Sequence, residues 1–289
     1  MMTLTERINE LNTLLEKDEF SVALQERFKN NQVKRGLVLQ SAKYNSSPIL
    51  YLDDDFWNRP DEEIVEELRH CYEKHGCNIE VFDFLNREYL LQKVLPRVYS
   101  DDNIAQLKKN HIVYRHEMDL AFSFYIPIHS EIESELASIT ITDCLLENMD
   151  VDKDEMIEAA KRNLQAQIQC MDIREVMKSM GVPVPECNPD TDISMIAITN
   201  TSKINGAGVL LDASNFSMLV PELGNCFAIL PSSIHECLCV PFQSESDLLT
   251  FAGMVKEINA TAVALEDKLT DSVYTVSYTH LTLPTNSRV

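Results

Sequence analysis

The side chains best able to do chemistry lie close together, in the segment from Pro231 to Cys239. Two hydroxyls, an imidazole, a carboxylate and a thiol occur within six positions: Ser232, Ser233, His235, Glu236 and Cys237. A histidine beside a hydroxyl or a thiol can act as a general base and activate that group as a nucleophile. This composition is found in hydrolases, and we therefore treat these five residues as candidate catalytic residues.

An extended chain from 234 to 240 would place His235, Cys237 and Cys239 on one face, because side chains alternate along a strand. A histidine beside thiols could activate a nucleophile or bind a soft metal.

A second interpretation of the same segment is structural. Neighbouring residues cannot form a catalytic triad alone, since its members converge in space and an acid must come from another segment. Serines that cap a loop leading into a core strand give the same pattern. We favour this interpretation and keep the catalytic one as its alternative.

Three further clusters contain side chains that ligate metals, but each lacks part of a known site. They are His70-Cys71 with His75-x-Cys77, Asp150-x-Asp152-x-Asp154, and Asp53-Asp54-Asp55. The first has no second ligand pair at a zinc-finger distance. The second resembles a calcium loop, but Glu155 occupies the position that requires glycine and Lys161 the position of the bidentate acid. The third is typical of a solvated turn, so we predict no metal.

Gly206-x-Gly208 is the nearest approach to a nucleotide-binding motif in the chain. The pair is too short for a dinucleotide fingerprint, and no lysine of a phosphate-binding loop follows it. Closely spaced glycines are common in turns, where they relieve steric restrictions on the backbone. We therefore predict a turn at this position and no cofactor.

The chain is strongly acidic, with 46 Asp and Glu residues against 25 Lys and Arg residues and a formal net charge of −21. Such a charge repels nucleic acid backbones and anionic membrane surfaces, and it favours a basic protein partner. No apolar run approaches the roughly 20 residues that span a bilayer, and the N-terminus lacks a signal-peptide pattern. The eight cysteines are scattered, which is typical of reduced thiols. We therefore predict a cytoplasmic protein.

Apolar periodicity predicts the helices and strands that must position these side chains. Capping signals at Thr3, Asp152 and Ser244 predict the starts of three helices. In the helix that starts at Asp152, the apolar stripe continues as far as Ile168. Residues 118–126 alternate as in a strand, and short connections between several strands indicate antiparallel pairing. The predicted fold class is α+β, with a mixed, mainly antiparallel sheet and helices packed on it.

The predicted domain organisation follows from a proline-rich segment at 182–191, which cannot be helical. We interpret it as a linker between an N-terminal α+β lobe at 1–181 and a C-terminal α+β lobe at 192–275. Residues 276–289 are predicted to be non-native, because 276–285 resemble one translated frame of a sequencing adapter. On this interpretation the chain comes from a metagenome and is truncated at its C-terminus.

Several segments of the chain carry a family resemblance. The most specific is Ile-Leu-Pro-Ser-Ser-Ile-His-Glu at 229–236, and the others lie at 51–54, 62–68, 119–122, 254–261 and 271–274. They resemble an uncharacterised family of gut Firmicutes, a domain of unknown function (DUF5688-like). The resemblance covers nearly all of the chain before residue 276 and implies a cytosolic bacterial protein. It implies no activity and transfers no catalytic residue.

The sequence supports two functional hypotheses. We favour a cytosolic, non-enzymatic binding or regulatory protein whose acidic surface selects a basic partner, because no complete catalytic constellation is visible. The alternative is a hydrolase in which His235 is the general base and Ser232, Ser233 or Cys237 is the nucleophile. Geometry separates the two, since the hydrolase requires His235 in reach of both a nucleophile and an acid from another segment.

Overall fold

The computed structural model describes residues 3–15, 19–78, 86–128, 137–179 and 194–278. These residues belong to two compact units, which we call the first unit (described residues up to 78) and the second unit (described residues from 86 onward). Each unit has its own sheets and its own buried core, and each is treated separately below.

In its described residues, the first unit is a three-stranded antiparallel sheet with two helices. In chain order its elements are α1 (Leu4–Leu15), β1 (Ser21–Lys29), β2 (Gln32–Gln40), β3 (Ile49–Tyr51) and α2 (Asp61–His75). β1 and β2 form a hairpin around Asn30 and Asn31, and Asn31 has a φ of 60°. Asparagine tolerates this left-handed conformation better than most residues, which favours a tight turn at this point.

The core of the first unit lies between its sheet and its two helices. α2 starts directly after Pro60 with three acids in its first turn, a combination suited to the positive end of the helix dipole. Its apolar stripe then faces the sheet. The buried core consists of Leu11, Leu15, Val22, Leu37, Leu39, Phe56, Ile64, Val65, Leu68 and Tyr72.

The second unit contains the remaining elements. The first of these are α3 (Arg87–Lys93), β4 (Leu95–Ser100), α4 (Ile104–Lys109), β5 (Tyr114–Glu117), β6 (Leu120–Ile128), β7 (Ala137–Thr140), α5 (Asp143–Met149) and α6 (Lys153–Gln165). They are followed by β8 (Ile168–Asp172), α7 (Ile173–Ser179), β9 (Ile196–Asn200), α8 (Val220–Leu223), β10 (Cys226–Leu230), β11 (Cys237–Pro241), α9 (Glu245–Thr261) and β12 (Tyr274–Ser277). Short 3-10 helices occur at Asp101–Asn103, Gly206–Leu211 and Ala213–Leu219.

Two antiparallel sheets organise the second unit. In the four-stranded sheet, β6 is central and pairs with β4, β5 and β7. The five-stranded sheet has the order β12-β10-β11-β9-β8. β6 is buried along almost its whole length, so both of its faces contribute to one large core. The predicted α+β class with mainly antiparallel sheet is confirmed.

The described residues of the two compact units divide between residues 78 and 86. The proline-rich segment at 182–191 was predicted to be a linker from the sequence. β8 and β9 lie on either side of that segment and pair antiparallel, from Ile168 opposite Asn200 to Asp172 opposite Ile196. Both flanks of the predicted linker therefore belong to one sheet of the second unit. Residues 182–191 themselves lie outside the described residues, so the linker stays a prediction.

Three helices begin where capping signals at Thr3, Asp152 and Ser244 predicted them, but one of the three ends earlier than expected. α6 stops at Gln165, and Ile168, which continues its apolar stripe in the sequence, belongs to β8. Pairing with β9 gives this segment backbone hydrogen-bond partners that a last helical turn would lack. The longest described helix is α9, with 17 residues, and no described helix is both long and apolar enough to cross a membrane.

The segment predicted to be non-native begins inside β12. Val276 and Ser277 pair with Phe227 and Cys226 of β10. Residues 279–289 lie outside the described residues, and the origin of the segment from 276 onward stays a prediction.

Candidate functional site

The candidate catalytic segment forms the loop between β10 and β11, and its polar side chains close that loop on itself. Ser232 Oγ donates to the backbone oxygen of Glu236 (3.2 Å) and to its Oε1 (3.3 Å), and Ser233 Oγ donates to the same Oε1 (3.1 Å). Ser233 Oγ also accepts the backbone N–H of His235 (3.0 Å). Both hydroxyls hold the loop in shape, which is the capping role of the structural interpretation.

His235 is oriented from both sides of its ring. Its Nδ1 accepts the backbone N–H of Asn205 (3.3 Å), so the proton of the neutral ring lies on Nε2. Nε2 lies 3.5 Å from Oδ1 of Asp267, and the two side chains are 35% and 32% exposed. The carbonyl of Asp267 accepts the N–H of Ile234 (2.9 Å), which fixes the acid against the loop. His235 thus meets an acid from another segment, as the hydrolase hypothesis requires.

The structure does not place the His235 imidazole on a serine hydroxyl. Within the described residues, the imidazole contacts Asn205 and Asp267, whereas the hydroxyls of Ser232 and Ser233 donate to Glu236. With Nδ1 accepting a backbone proton and Nε2 carrying its own, the neutral ring has no free lone pair for a nucleophile. The five candidate residues therefore do not meet at one point. Ser232 and Ser233 bond to Glu236, His235 contacts Asn205 and Asp267, and Cys237 is buried in the core.

Cys237 lies in that core, together with Cys239, and both side chains are fully buried. Burial raises the pKa of both thiols, and the nearby Cys239 and Glu236 raise the pKa of Cys237 further. Because the thiolate is the nucleophilic form, both residues are suited to packing. The predicted shared face of Cys237 and Cys239 is confirmed, but β11 begins only at Cys237 and leaves His235 in the loop.

Two of the three clusters considered as metal sites contribute hydrogen bonds within the described residues. Asp152 Oδ1 accepts the backbone N–H groups of Asp154 (2.8 Å) and Glu155 (3.3 Å), and so caps α6. The carbonyls of Asp53 and Asp55 accept backbone protons within a turn. Over the described ranges, no group of three His, Cys, Asp or Glu side chains is placed to hold a metal ion.

Gly206 brings the chain after β9 against the His235 loop. A Cβ atom on Gly206 would lie 2.1 Å from Thr199 Oγ1 and 2.3 Å from the carbonyl oxygen of His235. Thr199 Oγ1 itself donates to that carbonyl at 2.7 Å. Close backbone packing therefore explains the glycine. The segment forms the start of a 3-10 helix where the sequence predicted a turn.

A half-buried carboxylate with no predicted role lies in the turn between β5 and β6. Thr270 and Ser272 donate their hydroxyls to Oδ2 of Asp119, and Tyr274 donates its hydroxyl to Oδ1. These three residues alternate along the chain, and the backbone N–H of Ser272 also donates to Thr270 Oγ1 (3.0 Å). That alternation is visible in the sequence, but nothing in the sequence identifies an acceptor about 150 positions away.

The charge state of this group follows from its contacts. Burial raises the pKa of Asp119, but the hydroxyls of Thr270, Tyr274 and Ser272 stabilise the carboxylate more, and its pKa is lowered overall. Burial and the charge of Asp119 raise the pKa of Tyr274. An ionised carboxylate whose two oxygens accept three hydroxyls suits a structural connection between distant segments better than proton transfer to a substrate.

A cleft of about 340 Å³ opens in the second unit beside α3, α6 and the turn after β9. Its lining includes the cations Lys93 and Arg162 and the neutral polar residues Gln167 and Thr201, and it contains no Asp or Glu. No local sequence pattern indicates this cleft, because its lining comes from four segments between positions 92 and 202. His235 is not part of it.

Comparison with known proteins gives a family but no characterised relative. A model described as "Family of unknown function (DUF5688)" matches residues 2–278. No curated protein and no solved structure matches the chain.

Proposed function

We propose that this chain, which belongs to DUF5688, a family of unknown function, acts as a cytosolic, non-enzymatic binding or regulatory protein for a basic protein partner. The observation that carries the proposal is the hydrogen bonding of the Ser232–Glu236 loop. Its hydroxyls are used to cap the loop and its imidazole is held between Asn205 and Asp267. This hydrogen bonding supports a structural role for the segment with the most reactive side chains.

The choice of a basic partner follows from charge. The net charge of −21 creates a negative field that attracts basic surfaces over distances beyond direct contact. In the first unit, α2 carries exposed carboxylates at Glu62, Glu66 and Glu73, whose spacing places them along one face of the helix. None of the three forms an ion pair within the described residues. This acidic face of α2 is where we expect the partner to bind.

A lysine-rich peptide provides the test of this expectation. We expect it to bind the wild-type chain at about 0.15 M salt, and replacement of Glu62, Glu66 and Glu73 with Gln to weaken binding roughly tenfold, because three attractive charges are lost. Fluorescence anisotropy of the labelled peptide measures the dissociation constant.

A control variant with the same net charge separates the acidic face from the overall field. Glu147, Glu222 and Glu257 are exposed acids of the second unit, and their replacement with Gln removes three charges as well. We expect this control to weaken peptide binding less than threefold. Absence of binding by the wild type, or equal losses in both triple variants, would count against the α2 face as the binding surface.

The hydrolase alternative is favoured by one observation, the contact between His235 and Asp267. In that hypothesis Asp267 orients the imidazole, and Ser232, Ser233 or Cys237 is the nucleophile. A conformational change would have to bring the nucleophile onto the ring.

Nucleophile labelling distinguishes this alternative from our proposal. We expect a fluorophosphonate probe to leave Ser232 and Ser233 unmodified, and iodoacetamide to alkylate exposed Cys144 at least about tenfold faster than buried Cys237. Peptide mapping by mass spectrometry gives the rates, with urea-unfolded protein as the control in which both thiols react. Labelling of either serine that His235→Gln abolishes would establish the alternative and overturn the proposal.

A further inference from the structure

We infer that the cleft beside α3 and α6 binds a small organic anion through a phosphate or carboxylate group, with Arg162 and Lys93 as the cationic ligands. This site is in the second unit, and it is independent of the basic partner proposed for α2. The inference rests on the charge of the lining, on the lack of partners for the two cations, and on the neutral donors beside them.

The lining is unlike the rest of the chain in charge. Acids outnumber bases by 46 to 25 in the sequence, yet the lining has two bases and no acid. Two positive charges facing one cleft repel each other, and this repulsion is offset when an anion lies between them. An oxyanion is the complementary ligand for such a pair.

The two cations have no acidic partner within the described residues. Arginines elsewhere in the described residues commonly have one, as in Arg7, Arg35, Arg59, Arg87 and Arg115. The acids on α6 that could reach Arg162 are already used: Glu155 pairs with Arg87 (2.6 Å) and Glu158 with Lys161 (2.8 Å). Arg162 and Lys93 each form no ion pair or hydrogen bond through their side chains in the described parts of the chain.

Helix capping offers another role for these cations, since each lies in the last turn of its helix, where the dipole favours positive charge. The carbonyls at the end of α3 are already satisfied, however. Asn163 Nδ2 donates to the carbonyl oxygens of Leu91 (3.1 Å) and Val94 (3.0 Å). After α6, the carbonyl of Gln167 accepts the N–H of Thr201 (2.9 Å). The cations are therefore not needed to satisfy these groups.

Neutral donors complete the cleft. The hydroxyl of Thr201 and the side-chain amide of Gln167 line it, and neither is hydrogen-bonded within the described residues. Thr201 lies in a turn held by a hydrogen bond from Asn200 Nδ2 to the carbonyl of Ile204 (2.8 Å). Lys203, in the same turn, has a left-handed φ of 55°, a conformation that is costly for a non-glycine residue. The bond between Asn200 and Ile204 orders the backbone of the turn that carries Thr201.

The opposite wall and the volume limit the size of the ligand. Leu95, Tyr125 and Pro127 contribute apolar surface, and the guanidinium of Arg97 lies 4.6 Å from the Tyr125 ring on which it stacks. Burial raises the pKa of Tyr125, so its hydroxyl stays protonated. A volume of about 340 Å³ is at the small end of the range for small-molecule sites. The ligand class is therefore a small molecule with one anionic group and a short apolar body.

Phenyl phosphate and benzoate are suitable probes, because they share an apolar ring and differ in the anionic group. We expect isothermal titration calorimetry at constant ionic strength in chloride to show saturable binding of at least one of them to the wild-type chain. Arg162→Gln is expected to weaken binding at least tenfold, and Lys93→Gln about threefold to tenfold, because the guanidinium binds oxyanions with two parallel hydrogen bonds. Both positions are exposed, so the thermal midpoint should be unchanged.

Matched controls keep the same change of charge outside the cleft. Lys109→Gln and Arg115→Gln alter exposed or partly exposed cations of the second unit and should bind the probes like wild type. Binding of phenyl phosphate alone assigns a phosphate ligand, binding of benzoate alone a carboxylate, and binding of both a general oxyanion site. The inference is overturned if neither probe binds, if the control variants weaken binding equally, or if Arg162→Gln lowers the thermal midpoint and leaves binding unchanged.

Discussion

Replacement of Asp119 with alanine is expected to lower the free energy of unfolding of the second unit by about 2–4 kcal/mol, a large effect for one side chain. Asp119 accepts the hydroxyls of Thr270, Ser272 and Tyr274. Hydrogen bonds to a charged group contribute roughly 1.5–3 kcal/mol each. Because Asp119 is only half-buried, solvent screening reduces the sum. The buried Tyr274 hydroxyl would also lose its acceptor, which adds a desolvation cost.

Urea unfolding followed by far-ultraviolet circular dichroism measures this loss, and two variants provide the scale. Ser272→Ala removes one of the three donors and should cost about 1 kcal/mol. Glu257→Ala removes an exposed acid of α9 and should change stability by less than about 0.5 kcal/mol. If Asp119→Ala were no more destabilising than Glu257→Ala, the hydroxyl network would not contribute to stability.

The same carboxylate gives a pH dependence whose sign follows from its lowered pKa. Folding favours the ionised form of Asp119, so its contribution is fully present above the pKa of the unfolded chain, about 3.9 for aspartate. The contribution is lost as the pH falls through the lower pKa of the folded chain. We expect the difference in stability between wild type and Asp119→Ala to be largest at about pH 7 and to shrink as the pH falls below about 3.9. A difference that stays constant over this range would contradict the assigned network.

Arg7→Met is expected to cost the first unit about 3–5 kcal/mol, because it removes the only charged donor of a buried network. The Arg7 side chain is 3% exposed, and its Nε lies 2.9 Å from Oδ1 of Asp61. Its terminal nitrogens donate to the backbone carbonyl oxygens of Phe56 and Arg59. Methionine has a similar length but cannot donate, so one carboxylate and two carbonyls lose their partner.

Trp57 provides the readout for this variant. It is the single tryptophan of the chain and lies in the same unit, with the Arg7 guanidinium 5.7 Å from its ring. Urea unfolding followed by tryptophan fluorescence should show a much lower midpoint for Arg7→Met and an intermediate one for Arg7→Lys, which keeps the charge without the planar fork. Arg35→Met breaks an exposed pair with Glu26 and should cost less than about 1 kcal/mol. Equal losses for the two methionine variants would show that the buried network adds nothing.

Helix starts were predictable because the interactions that define them are local. Thr3 and Glu6 hydrogen-bond reciprocally, Asp152 caps α6, and Ser244 forms a capping box at the start of α9. In each case the partners lie within three residues, so the sequence contains the whole interaction. The end of α6 was not predictable from local interactions, as Ile168 shows. Its spacing continues a helix, but strand pairing with β9 decided its conformation.

The candidate site was predictable only in part. The serines of the loop and their acceptor Glu236 lie within four positions, and the capping role expected for them matches their hydrogen bonds. The acid that meets His235, Asp267, lies 32 positions further along the chain and follows a helix and a turn. No spacing rule connects the two residues.

By itself, the sequence determined the acidic charge, the α+β class and the starts of three helices, at Thr3, Asp152 and Ser244. These properties depend on composition or on neighbours a few residues apart. Only the tertiary structure decided which polar side chains meet: His235 with Asp267, Asp119 with three hydroxyls, and Lys93 with Arg162 in one cleft. The physical reason is that a hydrogen bond acts over about 3 Å, while partners such as Asp119 and Tyr274 are 155 positions apart. Their meeting depends on the packing of whole strands and helices.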